Sequence, residues 1–147
     1  MNTELIGQVL QSWSRFDALI ASAPPEWLED DHTWIQWCFP LQTPSGFNCL
    51  APILDDDDVK LLKAMSYTQS TQVGFAEAYL AYLRVSKGWL SSSHDHNRRR
   101  ITRVIKSLVL LGSYDEAERV YRQCSEMLIN GATDKESIVW WNNALVV

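Results

Sequence analysis

The chain has 147 residues, of which 46% are hydrophobic and 21% are charged, and its formal net charge is −5. This length and apolar content suit one domain with its own core and exclude a disordered chain. The acidic balance argues against a protein that coats DNA, because such proteins carry a basic surface. The three cysteines are widely spaced and give no disulfide framework, so we expect a reducing compartment.

Targeting and membrane-spanning signals are not visible in the sequence. Residues 1–11 lack the basic stretch followed by an apolar run that marks a secretory leader. No apolar run approaches the roughly 20 residues that a membrane-spanning helix needs. We therefore expect a cytoplasmic location and no transmembrane segment.

The hydrophobic pattern of the first half predicts helices. Residues 3–23 repeat apolar side chains at the i, i+3, i+4, i+7 spacing, and Pro24 is expected to end that helix. A second helix is predicted over 29–38, followed by an irregular, proline-rich connection over 39–54 that packs on the domain. Residues 55–58 are four aspartates, which suit the N-terminus of a short helix because the helix dipole is positive there.

The second half of the sequence also has helical periodicity and no segment that alternates with period two. The predicted helices and their boundary residues are 70–87 ended by Gly88, 97–111 capped by Asn97 and ended by Gly112, a helix opened by the capping box Ser113-x-x-Glu116, and a last helix opened by Thr133-x-x-Glu136. The predicted fold is therefore all-α. It is a compact single domain over 1–147, with six or seven helices and an irregular Pro-rich connection.

A block of aromatic residues is the first candidate binding surface. It spans 32–40 and contains His32, Trp34, Gln36 and Trp37. One interpretation is a peptide-binding cleft, in which the Trp rings give contact area and Gln36 gives direction. The other is core packing, in which Gln36 bonds to a neighbouring backbone group.

A row of basic residues is the second candidate. Arg99, Arg103 and Lys106 follow the i, i+4, i+7 spacing, and Arg98 and Arg100 flank them. The row could bind phosphate or an acidic partner. Alternatively it is a solvated helix face, on which Arg100 or Arg103 connects the helix to the acidic Glu29–Asp31 block.

Metal-binding and catalytic patterns are weaker. His94-Asp95-His96, with His32 as a third ligand, lacks a second ligand cluster at standard spacing. The aspartates at 55–58 lack the spaced ligands and glycine of a calcium loop. No nucleophile motif, phosphate loop or zinc-protease motif is present. We therefore expect no cofactor, no metal site and no enzymatic activity.

Two stretches of sequence together form a recognisable pattern. The first reads Leu28-Glu29-Asp30-Asp31-His32-Thr33-Trp34-Ile35-Gln36-Trp37-Cys38-Phe39-Pro40 and continues through Ser45, Asn48, Ala51 and Pro52. The second reads His96-Asn97-Arg98-Arg99-Arg100-Ile101-Thr102-Arg103-Val104-Ile105-Lys106-Ser107-Leu108 and closes with Leu111-Gly112. In this order they resemble the conserved domain of opioid growth factor receptors, most strongly over 26–54 and 96–128. Trp34 stands where the family usually has Tyr, and Cys38 where Leu is common.

The resemblance implies a protein- or peptide-binding module. Animal receptors of the family continue into long tails with repeats and nuclear-targeting segments, and we expect their nuclear-envelope association not to apply to this chain. Two other hypotheses remain. One is a phosphate- or nucleic-acid-associated protein that uses the Arg98–Lys106 helix. The other is a small mobile-element (phage-type) inhibitor of a host complex that uses Asp55–Asp58 as a charge mimic. The sequence does not indicate the oligomeric state.

Overall fold

The computed structural model describes residues 3–46 and 48–146, so Phe47 in the irregular connection lies outside the described residues. Within those residues the chain is helical, with no strand apart from an isolated bridge between Leu41 and Ile53. The elements are α1 (Thr3–Ser22), α2 (Trp27–Asp30), α3 (Trp34–Cys38), α4 (Asp56–Ala64), α5 (Thr68–Val85), a 3₁₀ helix (Lys87–Leu90), α6 (His96–Leu110), α7 (Tyr114–Gly131) and α8 (Ser137–Ala144). The all-α prediction is confirmed.

Helix α6 lies at the centre of the domain and contacts α3, α5, α7 and α8. Its apolar face is fully buried, as the periodicity predicted, and consists of Ile101, Val104, Ile105 and Leu108. The predicted N-cap was wrong by two residues. Asp95 caps the helix by accepting a hydrogen bond from the Asn97 backbone N–H at 2.9 Å. Asn97 is instead buried, where it accepts a 2.6 Å hydrogen bond from the Tyr79 hydroxyl.

Arg98 is buried and connects α6 to the 3₁₀ helix and to α8. Its Nε donates to the Trp89 carbonyl at 2.8 Å, and its Nη1 donates to Asp134 Oδ1 at 2.8 Å and to Ser137 Oγ at 3.1 Å. The hydrogen bonds from Arg98 lower the pKa of the Asp134 carboxyl. Arg98 therefore holds the fold together and does not belong to an exposed basic patch.

The predicted helix over 29–38 is wrong, because the chain breaks into α2 and α3. The Asp31 carboxylate accepts hydrogen bonds from the backbone N–H groups of Thr33 and Trp34, at 2.8 and 3.2 Å. A short side chain that accepts from backbone N–H groups two and three residues ahead in this way competes with helix formation. Thr33 consequently precedes α3 as a separate N-cap residue.

Two other helix boundaries differ from the prediction, and one predicted capping bond is absent from a boundary that is correctly placed. Helix α5 ends at Val85, and Gly88 lies inside the 3₁₀ helix. Ser113 is the N-cap residue of α7, but its side chain makes no capping bond. Helix α8 begins at Ser137, so Thr133 does not open it. Gly112 does end α6, with a φ of 103° that favours glycine.

The aspartates at 55–58 form the N-terminus of α4. Asp55 accepts from the Asp58 backbone N–H at 2.7 Å, and Asp58 accepts from the Asp55 backbone N–H at 2.9 Å, which is a reciprocal capping box. Asp58 is 1% exposed. These contacts favour the interpretation of the aspartates as a helix N-terminus. Because Asp58 is buried, it does not contribute to an acidic surface.

A pair of carboxyl groups lies between α5 and α7. Glu77 accepts two hydrogen bonds from the Arg119 guanidinium, at 2.9 and 3.0 Å, and these hold the pKa of Glu77 below its usual range. Burial, followed by the hydrogen bond and charge of Glu77, raises the pKa of Glu116 to about 8. Glu116 therefore keeps a proton in the folded protein at neutral pH, while Glu77 is ionised.

We expect Glu116→Gln to make stability less sensitive to alkaline pH. Because folding raises the pKa of Glu116 from 4.5 to about 8, its contribution is complete below pH 4.5 and is lost as pH rises to about 8. Glutamine keeps the neutral form, so the variant should match wild type near pH 5. Near pH 8.5 the free energy of unfolding of the variant should exceed that of the wild type by about 1 kcal/mol, a value discounted for solvent screening. Urea titrations at both pH values measure this. Glu126→Gln, at an exposed position of the same helix, is the matched control, and an equal effect at both pH values would contradict the prediction.

Candidate ligand-binding groove

A groove of about 460 Å³ lies between α3, the irregular segment 41–46 and the first three turns of α6. It brings both sequence blocks to one place, although they are about sixty residues apart in the chain. Six of the eight candidate residues line it, namely His32, Gln36, Arg99, Arg100, Arg103 and Lys106. No sequence pattern marked the opposite wall as part of a site; it consists of Leu41, Thr43, Pro44, Ser45 and Gly46.

Trp34 and Trp37 do not line the groove. Trp34 is 1% exposed, its Nε1 donates to the Leu28 carbonyl at 2.8 Å, and its ring meets Tyr79 edge-on at 5.2 Å between centroids. Trp37 is half-buried against the core, and its carbonyl accepts a 2.7 Å hydrogen bond from Trp13 Nε1. The core-packing interpretation therefore applies to Trp34, and the expected aromatic anchors of a cleft are not there.

Gln36 is 6% exposed and is held by backbone contacts. With the amide turned so that its nitrogen faces the backbone, the orientation that its neighbours favour, Gln36 donates to the carbonyls of His32 and Thr33, both at 3.0 Å. These bonds match the interpretation in which a neighbouring backbone satisfies the amide. Gln36 forms part of the groove wall and at the same time fixes the turn that leads into α3.

Arg100 connects α6 to the acidic block at the end of α2. It is 7% exposed, and its Nη1 donates to the Leu28 carbonyl at 2.7 Å and lies 4.0 Å from Glu29 Oε2. Its Nη2 donates to the Asp31 carbonyl at 3.3 Å. The predicted connection between an α6 arginine and residues 29–31 is therefore present. It leaves Arg100 mainly a structural residue at the base of the groove.

Arg103 lies further along the groove in a different environment. Its Nε donates to the Phe39 carbonyl at 2.8 Å, and its Nη2 donates to the Gln36 carbonyl at 3.4 Å. Burial lowers the pKa of Arg103 to about 10. Because these acceptors are neutral carbonyls, they orient the guanidinium without cancelling its charge.

Arg99 and Lys106 lie on the exposed side of α6 and form the rim of the groove. Together with Arg103 they occupy one helical stripe, because residues three, four and seven apart share a face. None of the described residues that line the groove is Asp or Glu. The groove is therefore a region of positive charge on a chain with a net charge of −5.

The Glu29 carboxylate, 4.0 Å from Arg100 at the base of the groove, is occupied by neighbouring side chains. Glu29 Oε1 accepts from the Tyr82 hydroxyl at 2.7 Å and from Asn97 Nδ2 at 3.0 Å, and Glu29 Oε2 pairs with the His96 ring. His96 also meets the His32 ring at 6.4 Å between centroids.

In the described residues, no three His, Cys, Asp or Glu side chains lie close enough together to form a metal-binding group. The described helices likewise include none that is long and apolar enough to cross a membrane.

The fold and groove define an all-α domain in which two sequence blocks build one concave site. Residues 6–138 match the family described as the opioid growth factor receptor (OGFr) conserved region, and the chain belongs to that family. The mouse and rat opioid growth factor receptors are each 31% identical over 129 residues, covering 76% of this chain and 19–20% of theirs. The human receptor is 30% identical over 125 residues, covering 17% of that protein. The chain thus spans about one fifth of the length of these relatives, and no solved structure matches it significantly.

Proposed function

We propose that this chain is a non-enzymatic protein- or peptide-binding domain that holds a segment of its partner in the groove between α3 and α6. The observation that carries the proposal is the meeting of both family blocks at one concave surface. The related proteins are named as receptors of a growth factor, which is consistent with a binding role. The proposed location is the cytoplasm, where the domain would bind its protein partner.

The chemistry of the groove supports binding over catalysis. Its lining offers cations, two imidazole rings, hydroxyl groups, one amide and the apolar side chains of Ile35, Leu41 and Pro44, a mixture that suits recognition. The thiols of Cys38 and Cys124 are fully buried, and burial raises the pKa of each well above the usual range. Those thiols stay protonated at neutral pH and are therefore poor nucleophiles.

A larger side chain at Gly46 should block the groove. Gly46 lines the groove, and an added Cβ meets no atom within 4 Å, so a bulky side chain can be added without a clash at its base. Peptides selected on the wild-type domain from a displayed random dodecamer library should bind Gly46→Trp about tenfold more weakly, which corresponds to roughly 1.4 kcal/mol. Fluorescence anisotropy with labelled peptides measures the affinities.

Gly74→Trp is the matched control for this experiment. Gly74 is exposed on α5, lies outside the groove and also meets nothing within 4 Å of an added Cβ. The control should keep wild-type affinity. Selected peptides that bind Gly46→Trp as tightly as the wild type would place the binding surface elsewhere and overturn the proposal.

A further inference from the structure

We propose that the segment held in the groove is acidic, and that one of its carboxylates lies against Arg103 and the rim formed by Arg99 and Lys106. This inference rests on the proposed binding function and specifies the chemical class of the partner. Three features of the groove support it, namely the charge of its lining residues, the environment of Arg103 and its dimensions.

The charge of the groove is opposite to that of the chain as a whole. Four of its described lining residues are Arg or Lys and none is acidic, whereas the chain carries a net charge of −5. A ligand of negative charge would be attracted to the groove and repelled by most of the remaining surface. The charge distribution therefore selects both the sign of the partner segment and the place where it binds.

Arg103 adds a local reason for a carboxylate. Its side chain is partly buried, and its Nε and Nη2 donate to the carbonyls of Phe39 and Gln36. A desolvated cation that faces neutral acceptors gains more from an incoming anion than a hydrated surface cation does. An Arg–carboxylate contact is also directional, because planar guanidinium and carboxylate groups match in geometry.

The size and walls of the groove favour a peptide over a nucleic acid. A volume of about 460 Å³ accommodates a few side chains, and Ile35, Leu41 and Pro44 supply apolar contact beside the cations. A nucleic acid would extend beyond the groove onto a surface whose net charge is negative, which opposes phosphate binding. We therefore infer a segment that combines acidic and apolar residues.

The composition of selected peptides tests this inference separately from the proposed function. Among dodecamers whose binding is weakened by Gly46→Trp, Asp and Glu should be enriched about threefold over the starting library. Groove-binding peptides without that enrichment would overturn the acidic assignment and leave the binding function intact. If no peptide is sensitive to Gly46→Trp, both proposals fail together.

Charge reversal gives the quantitative test. The double variant Arg99→Glu/Lys106→Glu should bind the selected peptides about tenfold more weakly than the wild type does. Raising the sodium chloride concentration from about 50 to about 500 mM should also weaken binding to the wild type, because salt screens the attraction between the charges. Lys60→Glu/Lys135→Glu changes the net charge equally at exposed positions outside the groove and should alter affinity less than about twofold.

Folding and the nucleic-acid alternative are checked in the same experiment. Each variant is accepted only if its thermal unfolding midpoint matches the wild type within about 2 °C. Equal losses in the groove and control variants would overturn the acidic assignment. Tighter binding of a single-stranded dodecathymidylate probe than of the selected peptides would overturn it in favour of nucleic acid.

Discussion

Replacing Arg98 with Met should lower the free energy of unfolding by about 3 kcal/mol, because removing one partner from a buried hydrogen-bonded network leaves the others unsatisfied. Arg98 is 3% exposed, and it donates to the carbonyls of Trp89 and Leu90 as well as to Asp134 and Ser137. Methionine retains part of the apolar stem and none of the donors. The carbonyls of the 3₁₀ helix and the Ser137 hydroxyl would lose their partner.

Urea denaturation followed by far-UV circular dichroism measures the Arg98→Met effect, and Arg99→Met is the control. Arg99 is the next residue of α6 and is exposed, so its variant should stay within about 0.5 kcal/mol of wild type. Hydrogen exchange adds a local readout. Arg98→Met should lose protection first in α8, the helix that this side chain connects to α6. Equal stability of the two variants would refute the assigned role of Arg98.

The second large effect is expected for Trp34→Ala, which should cost about 3–5 kcal/mol because it opens a cavity in the core. The Trp34 ring is 1% exposed and meets Trp27, Phe39 and Tyr79 in edge-on contacts at 5.2–6.4 Å between centroids. Contacts with α1 and α6 hold α3 in place, so we expect the surrounding residues to fill that space only in part. The stability of Trp34→Phe should fall between those of the wild type and Trp34→Ala. Phenylalanine keeps part of the ring volume and loses the hydrogen bond to the Leu28 carbonyl.

Trp140→Ala is the control for the Trp34 measurement. Trp140 lies on α8 and is 67% exposed, so its removal should change stability by less than about 0.5 kcal/mol. Chemical denaturation of the three variants in parallel gives the comparison. If Trp34→Ala were no less stable than Trp140→Ala, the assigned role of Trp34 in the core would be refuted.

Local sequence signals predicted much of this fold. Helix α1 ends just before Pro24 and Pro25, the buried face of α6 follows the 3.6-residue period, and Gly112 takes the positive φ expected at a helix end. These features depend on residues that are close in sequence. The break at Asp31 depends on hydrogen bonds from the backbone of Thr33 and Trp34 to its carboxylate, and a pattern of apolar residues does not report such bonds.

The groove was only partly predictable. Helical spacing placed Arg99, Arg103 and Lys106 on one stripe, which the structure confirms. It did not separate them from Arg98, because burial of Arg98 depends on Trp89 and Asp134, which arrive from other parts of the chain. The second wall, over 41–46, has no periodicity, and its position depends on the contact of Leu41 with Ile53. The proline and glycine content of that segment was its only local signal.

The alternation of inward and outward arginines on α6 affects how genetic screens of this domain should be interpreted. Loss-of-activity alleles at Arg98 or Arg100 would deplete the protein in the cell, since chaperones and proteases remove destabilised chains. Alleles at Arg99 or Lys106 would leave its cellular amount near normal. Measuring the amount of protein by immunoblot together with the phenotype would therefore divide alleles of this helix into two classes. Alleles that lower the amount of protein report on stability, and alleles that leave it unchanged report on partner recognition.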